Sequence, residues 1–514
     1  MTKNKRLLKF VYNGLVLTVA AIIMRTVSVS FNAYVTSRVG AEGIGLFTLT
    51  LSIYGFAVTF ATSGVNLAST RLIAEALARD DDTGAKKALR ACLIYSFVFG
   101  SLASSCLFFG AEFIGASLLS DVRTVPSLRL LSLSLVPISL SSSLNGYFTA
   151  VRRVSKNAAC QLFEQAVKIT VTAYALSLFL PKGIMYSCMA LVGGGAIAEF
   201  ASFFFLLSEY IVDRRIHGKR HSYAVCVKEK NGSLAKELLG ISVPVALSAY
   251  VRSALVTAEH ILIPKTLSES GASKGAALAS YGKLHSMAMP IVLYPMAALS
   301  AFAGLLIPEF AEKNASKDEK ALSDMAESAI HYTLLFSIGC AGILAVFGST
   351  LGSLIYDSHE AGMYISMLAP IVPIMYLDHV TDAMLKGIGK QVYSMAVNIS
   401  DSVLSILLVL LILPRMGAVG YVLVIIIAEV FNFALSITGL TGAVSVRFDV
   451  IRSLLLPLSA AFLSGTLCKR LPIGENILGL CVKILICAVL YLITVVLSEK
   501  IVYQRKSKKR KIYT

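Results

Sequence analysis

Fourteen stretches of this chain are apolar for about as long as a bilayer is thick, and nothing else in it constrains the fold as much. A helix needs roughly 20 apolar residues to cross the hydrocarbon core. Runs of that length fall at about 10–36, 42–67, 89–111, 125–150, 157–181, 184–209, 236–264 and 277–308. They continue at about 324–350, 361–385, 391–414, 417–445, 450–470 and 477–498. Inside lipid every backbone N–H and C=O needs a partner, which leaves helices or closed barrels. Continuous apolar runs of this length are unlike the short alternating strands of a barrel. The expected fold class is therefore an all-α polytopic membrane protein with fourteen transmembrane helices. Only 15% of the 514 residues are charged, against about 25% in soluble domains. Prolines within the runs (Pro137, Pro244, Pro290, Pro295, Pro370, Pro373) predict kinks, which membrane helices tolerate.

The formal charge of +17 is explained by its placement. Lys and Arg cluster in the even-numbered loops and at both ends: KNKR at 3–6, RRVSK at 152–156, DRRIHGKR at 213–220 and RKSKKRK at 505–511. Odd-numbered loops, such as SRVGAEG at 37–43 and PKG at 181–183, hold one or two basic residues each. Cytoplasmic loops carry such an excess, so both termini are expected in the cytoplasm of a multi-pass protein of the cell membrane. Nucleic-acid binding is not implied, although the tail suits contact with anionic lipid. The basic opening MTKNKRLLKF looks like the start of a signal peptide, but the apolar run after it is too long and lacks a cleavage site. It reads as a retained first helix. The nine Cys are scattered without metal-type spacing and read as buried apolar side chains.

An internal repeat organises the rest. LIAEALARDDDTGAKKALR (72–90) matches LIPEFAEKNASKDEKALSD (306–324), an offset of 306 − 72 = 234. LPKGIMYSCMALVGGGAIAEFASF (180–203) matches LPRMGAVGYVLVIIIAEVFNFAL (413–435). The offset spans six helices, an even number, so the two halves share one orientation. The expected organisation is an N-lobe at 1–235 (helices 1–6), a C-lobe at 236–447 (helices 7–12), helices 13 and 14 at 448–498, and a basic cytoplasmic tail at 499–514. Parallel repeats around a central cleft are a transporter architecture.

No HExxH, Walker sequence or Ser/His/Asp arrangement is visible, so no enzyme and no ATP-driven pump is expected. No cofactor is implied; energy would come from a gradient of an ion such as Na+ or H+, from the membrane potential, or from the substrate's own gradient. GGG at 193–195 lies inside a span and reads as a packing or kink site. What remains is the set of ionisable residues within spans, each costing about 2.5–3.5 kcal/mol at a helix centre by insertion scales. They are Arg25, Glu164, Lys168, Glu199, Arg252, Glu259, Lys283, Asp378, Asp382, Asp401, Glu429 and Lys483. Glu164 and Lys168, four apart, can pair with each other or serve a substrate. Glu199 and Glu429 occupy equivalent repeat positions and suit lobe packing. Lys483 lies outside the repeat and can snorkel. Arg25, Arg252 and Lys283 fall in helices 1, 7 and 8, which open the two lobes. Three cations there suit an anion, and Arg forks match a diphosphate. Glu259, two turns from Arg252, can neutralise it. Asp378 and Asp401 are candidates for a cation or proton site.

The chain also resembles a known family. VGAEGIGLF (39–47), HILIPKTL (260–267), YGKLHSMAMPIVLYPMAALSAFAGLLIPEFAE (281–312) and LKGIGKQ (385–391) are similar to the stage V sporulation protein B-like members of the multidrug/oligosaccharidyl-lipid/polysaccharide (MOP) exporter superfamily. The resemblance implies fourteen helices in two six-helix lobes plus two more. It implies a flippase for an undecaprenyl-diphosphate-linked saccharide, working by alternating access, with the lipid-linked saccharide and the bilayer as partners and cell-wall synthesis proteins as candidate partners. Arg25 matches the first helix 1 arginine of the lipid II flippases, and Lys283 stands where they carry a helix 8 arginine. Their second helix 1 arginine is Phe31 here, followed by Asn32, a further candidate lining residue. The proton or ion role of a helix 7 carboxylate passes loosely to Glu259, beside His260. Two other readings stay open: a cation-coupled multidrug antiporter of the same superfamily, and a non-transport scaffold for envelope or spore assembly.

Overall fold

The computed structural model describes residues 3–512 apart from 63, 80, 218–233 and 475, and among these it is helical without a strand. The side chains of 3–21 and 501–512 fall outside the described set, so KNKR, RKSKKRK and most of DRRIHGKR cannot be placed against neighbours.

The longest helix, α1 (Lys3–Thr62), contains the first two expected spans. They part at Gly40, where φ is 78°, a left-handed conformation that costs glycine little. Then come α2 (Val65–Ala78), α3 (Asp82–Phe113), α4 (Val125–Ser132), α5 (Leu135–Ala150), α6 (Val154–Phe179), α7 (Ile184–His217) and α8 (Leu234–Glu269). The second half holds α9 (Lys274–Gly282), α10 (Met289–Val292), α11 (Met296–Ala315), α12 (Glu319–Tyr356), α13 (His359–Leu368), α14 (Val372–Gly387) and α15 (Gln391–Thr441). Last are α16 (Leu456–Lys469) and α17 (Ile477–Ile512). Within α15 the chain turns at Gly417, with φ 60°, just after Pro414. Among the described residues, eight helices are long and apolar enough to cross a membrane, or up to ten if each of two bent pairs is one span. The helices with in-span charges Glu164, Lys168, Arg252 and Glu259, α6 and α8, are not among them. The fold is thus an all-helical, multi-pass membrane protein.

The chain divides into two compact units, one of Arg38–Ala279 and one of Met1–Ser37 with Ser280–Thr514. This grouping sets the first 37 residues with the second half, whereas the sequence reading puts them at the head of the N-lobe.

In the unit Arg38–Ala279, small polar residues bring helices together. Ser139 on α5 donates to the carbonyls of Ala61 and Ser96 at 2.7 and 2.8 Å, Ser143 meets Ser96 at 2.7 Å, and Ser69 donates to the Ser143 carbonyl at 2.9 Å. Apolar side chains gain little against each other in lipid, so close packing and interhelical hydrogen bonds carry association. Part of the basic charge read as orientation signal is paired: Arg153 with Asp213, and Lys156 with Glu209 at 2.7 Å. Arg123 joins Asp121 at 2.7 Å and Glu42 at 2.8 Å. Asp81 caps α3 by accepting from the Gly84 N–H at 2.7 Å. That N–H holds its carboxyl below the usual Asp range. The cap is therefore complete above the unfolded value of ~3.9 and fades as pH falls through the lower folded value. Asp81→Ala is expected to lower stability by about 1 kcal/mol at neutral pH, read as a lowered midpoint in thermal unfolding, with the difference shrinking in acid.

In the other unit, α12 packs on α13, α14, α16 and α17. A Cβ on Gly352 would strike the backbone of Gly362, so these paired glycines set how closely α12 and α13 approach. Tyr491 of α17 donates to the Leu335 carbonyl of α12 at 2.6 Å, which anchors the last helix to the bundle.

Candidate functional site

The segment 281–312, the most specific part of the sequence resemblance, is a broken helix. α9 passes into a π turn over Lys283–Ala288, continues as α10, and bends by 61° before α11. Pro290 explains much of this: it has no N–H for the carbonyl four residues back, which is that of Ser286. Asn32 of α1 fills the gap, its Nδ2 donating to the Ser286 carbonyl. At the second break, near Pro295, the Tyr376 hydroxyl of α14 donates to the Val292 carbonyl at 2.7 Å. Thr26 of α1 meets the Tyr294 hydroxyl at 2.8 Å. The first half of α1 is thus fastened at two points to a helix opened by prolines.

Arg25 and Asn32 are seven residues apart and share one face of α1. The Arg25 Nε is buried and has no hydrogen-bond partner among the described residues. Tyr356 and Tyr376 lie within electrostatic range of the guanidinium, and the Tyr356 hydroxyl sits beside the Asn32 amide. An unspent donor on a half-buried cation, with phenols in its field, matches an acceptor-rich anion. Lys283 differs: it pairs with Glu360 at 2.7 Å, so it enters any site already carrying a counter-charge. Sequence reasoning missed Glu360 because it lies between two predicted spans. It also missed His285, which meets the Tyr421 hydroxyl at 3.0 Å.

The acidic candidates of this unit gather on α14 and α15. Asn432 donates toward Asp378 at 3.4 Å and the Ser436 hydroxyl lies within reach of the same carboxylate, while the Asn432 Oδ1 is buried without a donor among the described residues. Glu429 lies within electrostatic range of Asp378 and Asp401. Such neighbouring, donor-poor oxygens suit a proton or a hard cation. No group of three His, Cys, Asp or Glu among the described residues is arranged to hold a metal ion. Asp382 is occupied locally by Lys386 at 2.5 Å and by Ser394.

Arg252 and Glu259 belong to the other unit, on α8, where Arg252 is exposed and Glu259 half-buried. Around them α8 is tied to α1 by Ser253 to Thr59 at 3.2 Å and by Thr257 to the Ser52 carbonyl at 3.1 Å. Glu164 bonds with Ser202 of α7 at 3.0 Å, a partner its spacing from Lys168 did not suggest.

Comparison with known proteins follows this geometry. The family model described as "Polysaccharide biosynthesis protein" matches residues 10–314, well over half of the chain. The chain belongs to that family. A second model, MatE, matches residues 270–411. Stage V sporulation protein B of Bacillus subtilis (strain 168) is 26% identical over 420 residues, covering 81% of this chain and 80% of the relative. The lipid II flippase MurJ of the same organism is 24% identical over 442 residues, covering 81% and 79%. A solved lipid II flippase MurJ in an inward closed conformation superposes with a TM-score of 0.65 at 14% identity, covering 96% of this chain and 99% of that one. This member of the polysaccharide biosynthesis family shares its fold with that solved flippase, and the names of its relatives describe lipid II flipping and sporulation.

Proposed function

We propose that the protein is a flippase that carries an undecaprenyl-diphosphate-linked cell-envelope saccharide, a peptidoglycan precursor or another polysaccharide unit, from the cytoplasmic to the outer leaflet by alternating access. The observation that carries this reading is Arg25, a guanidinium inside an apolar span with a buried, unsatisfied Nε. Arg25 would grip the diphosphate in a bidentate manner. Asn32 fixes the opened helix 283–292 beside it, and Lys283 adds a point charge when it leaves Glu360. The Asp378–Asn432 pair, with Asp401, would take the Na+ or H+ whose gradient drives return.

The organisation that goes with this reading is fourteen spans with both termini cytoplasmic. Parting α1 and α15 at Gly40 and Gly417, and adding α6 and α8, takes the ten candidate spans to fourteen. Gly183 and Gly417, both at positive φ, are 417 − 183 = 234 residues apart, the offset of the sequence repeat.

The match of MatE to residues 270–411 supports a second reading, export of cationic drugs. Proteoliposomes separate the two. Flipping of lipid-linked saccharides across a panel of sugars, without uptake of cationic dyes, is the expected result; dye exchange with no flipping of any lipid-linked sugar would overturn the first reading.

A further inference from the structure

Lys483 is an in-span charge that the transport reading leaves unused. It lies two turns into α17, and the structure shows what it faces. With Lys469, near the end of α16, it lines a cavity of about 180 Å³ closed by Val346, Phe347 and Thr350 of α12, Gly474 and Leu480. Two cations and no carboxylate line this space among the described residues. Neither lysine has an ion pair among the described residues. A half-buried ammonium so placed needs an anion or water.

The cavity is smaller than the roughly 300 Å³ at which small-molecule pockets begin. It holds a compact group, not a whole lipid. Its two sides differ in chemistry: the lysines form a cationic rim, while Phe347 and Leu480 belong to an apolar cluster that also includes Cys468 and Cys487. The helices that carry the rim expose Phe462, Leu467, Leu478 and Leu485, an apolar surface suited to acyl chains. The start of α17 adds the positive end of a long helix, capped where Asn476 accepts from the Gly479 N–H at 2.8 Å.

We propose that Lys469 and Lys483 form a binding site for the phosphate of a membrane lipid, with the lipid's chains lying along α16 and α17. The site lies at the end of α17 away from the basic tail, hence in the outer leaflet if the tail is cytoplasmic. It is separate from Arg25 and stands whether or not the flippase reading holds. A lysine that merely snorkels attracts anionic lipid only through a field that salt screens, whereas a built phosphate site keeps its preference for anionic lipid at high salt.

The test uses the full chain in detergent with phosphatidylglycerol or phosphatidylcholine, reading retained lipid by native mass spectrometry and the thermal midpoint. The wild type should retain phosphatidylglycerol in preference, with each lysine contributing about fivefold. Lys469→Gln with Lys483→Gln should remove the preference, and the paired Lys→Arg changes should keep it. Should the double Gln variant not fold, Lys469→Gln alone, at an exposed position, should still lose about fivefold. Inorganic phosphate should not displace the lipid; displacement, or a raised midpoint with phosphate alone, would assign the site to free phosphate and overturn the lipid. Equal retention of both lipids by the wild type, or undiminished preference in Lys469→Gln, would overturn the site.

Discussion

Arg25→Ala should abolish flipping of lipid-linked saccharide in proteoliposomes while the protein accumulates in the membrane at wild-type level or above. A hydrogen bond to a charged group contributes about 1.5–3 kcal/mol, so losing a bidentate grip on a diphosphate should slow transport by about 100-fold or more. The accompanying rise in stability is the distinctive part. Arg25 makes no hydrogen bond through its buried Nε to any described residue, so its removal breaks no such contact there. It does remove a charge that costs about 2.5–3.5 kcal/mol within a span. Arg25→Met should therefore unfold at a higher temperature than the wild type and still fail to transport. Arg25→Lys, with charge but no fork, should fall between. Lys283→Ala should reduce transport less than Arg25→Ala, because Lys283 already has Glu360 as counter-charge and the exposed pair adds at most ~1 kcal/mol to stability. Wild-type flipping by Arg25→Ala would remove the diphosphate role and leave the scaffold reading in possession.

What the sequence made legible follows from how local the physics is. Helix positions follow from apolar length, and among the described residues eight helices, or up to ten with the bent pairs, are long and apolar enough to cross a membrane. The breaks at Gly40 and Gly417 lie where glycines meet polar or proline-bearing stretches, so local chemistry announces them. Arg25 and Asn32 on one face follow from a spacing of seven residues. Their partners do not, because Asn32 bonds to Ser286, 254 residues away, through a carbonyl that Pro290 frees. Glu360 escaped notice since an acid between spans looks solvated, yet it neutralises one of the candidate cations. Lys483 looked like a snorkelling side chain until the fold set Lys469 beside the same cavity. A sequence lists the expensive charges of a membrane protein; only packing shows which of them have found partners.

Asp378 is the charge whose loss should uncouple transport from its energy source. The Asn432 Oδ1 is buried without a donor among the described residues, and the Asp378 carboxylate beside it has only the Ser436 hydroxyl and the Asn432 amide as donors. Unsatisfied buried acceptors cost about 1–3 kcal/mol each, a cost that a bound Na+ or H+ would offset. Asp378→Asn should therefore leave the protein folded, since it removes a buried charge and supplies a donor. The same change should cut gradient-driven flipping by about tenfold or more, the effect of losing one charged ligand. Slow, gradient-independent exchange should persist through Arg25. Imposing Na+ and H+ gradients separately identifies the ion, as only the coupled one will accelerate the wild type and leave Asp378→Asn unaffected. Asp401→Asn should weaken the response less if Asp401 acts on the pair only through the electrostatic field it shares with Glu429. If Asp378→Asn responds to both gradients as the wild type does, the coupling site lies elsewhere, and Glu259 on α8 becomes the next carboxylate to change.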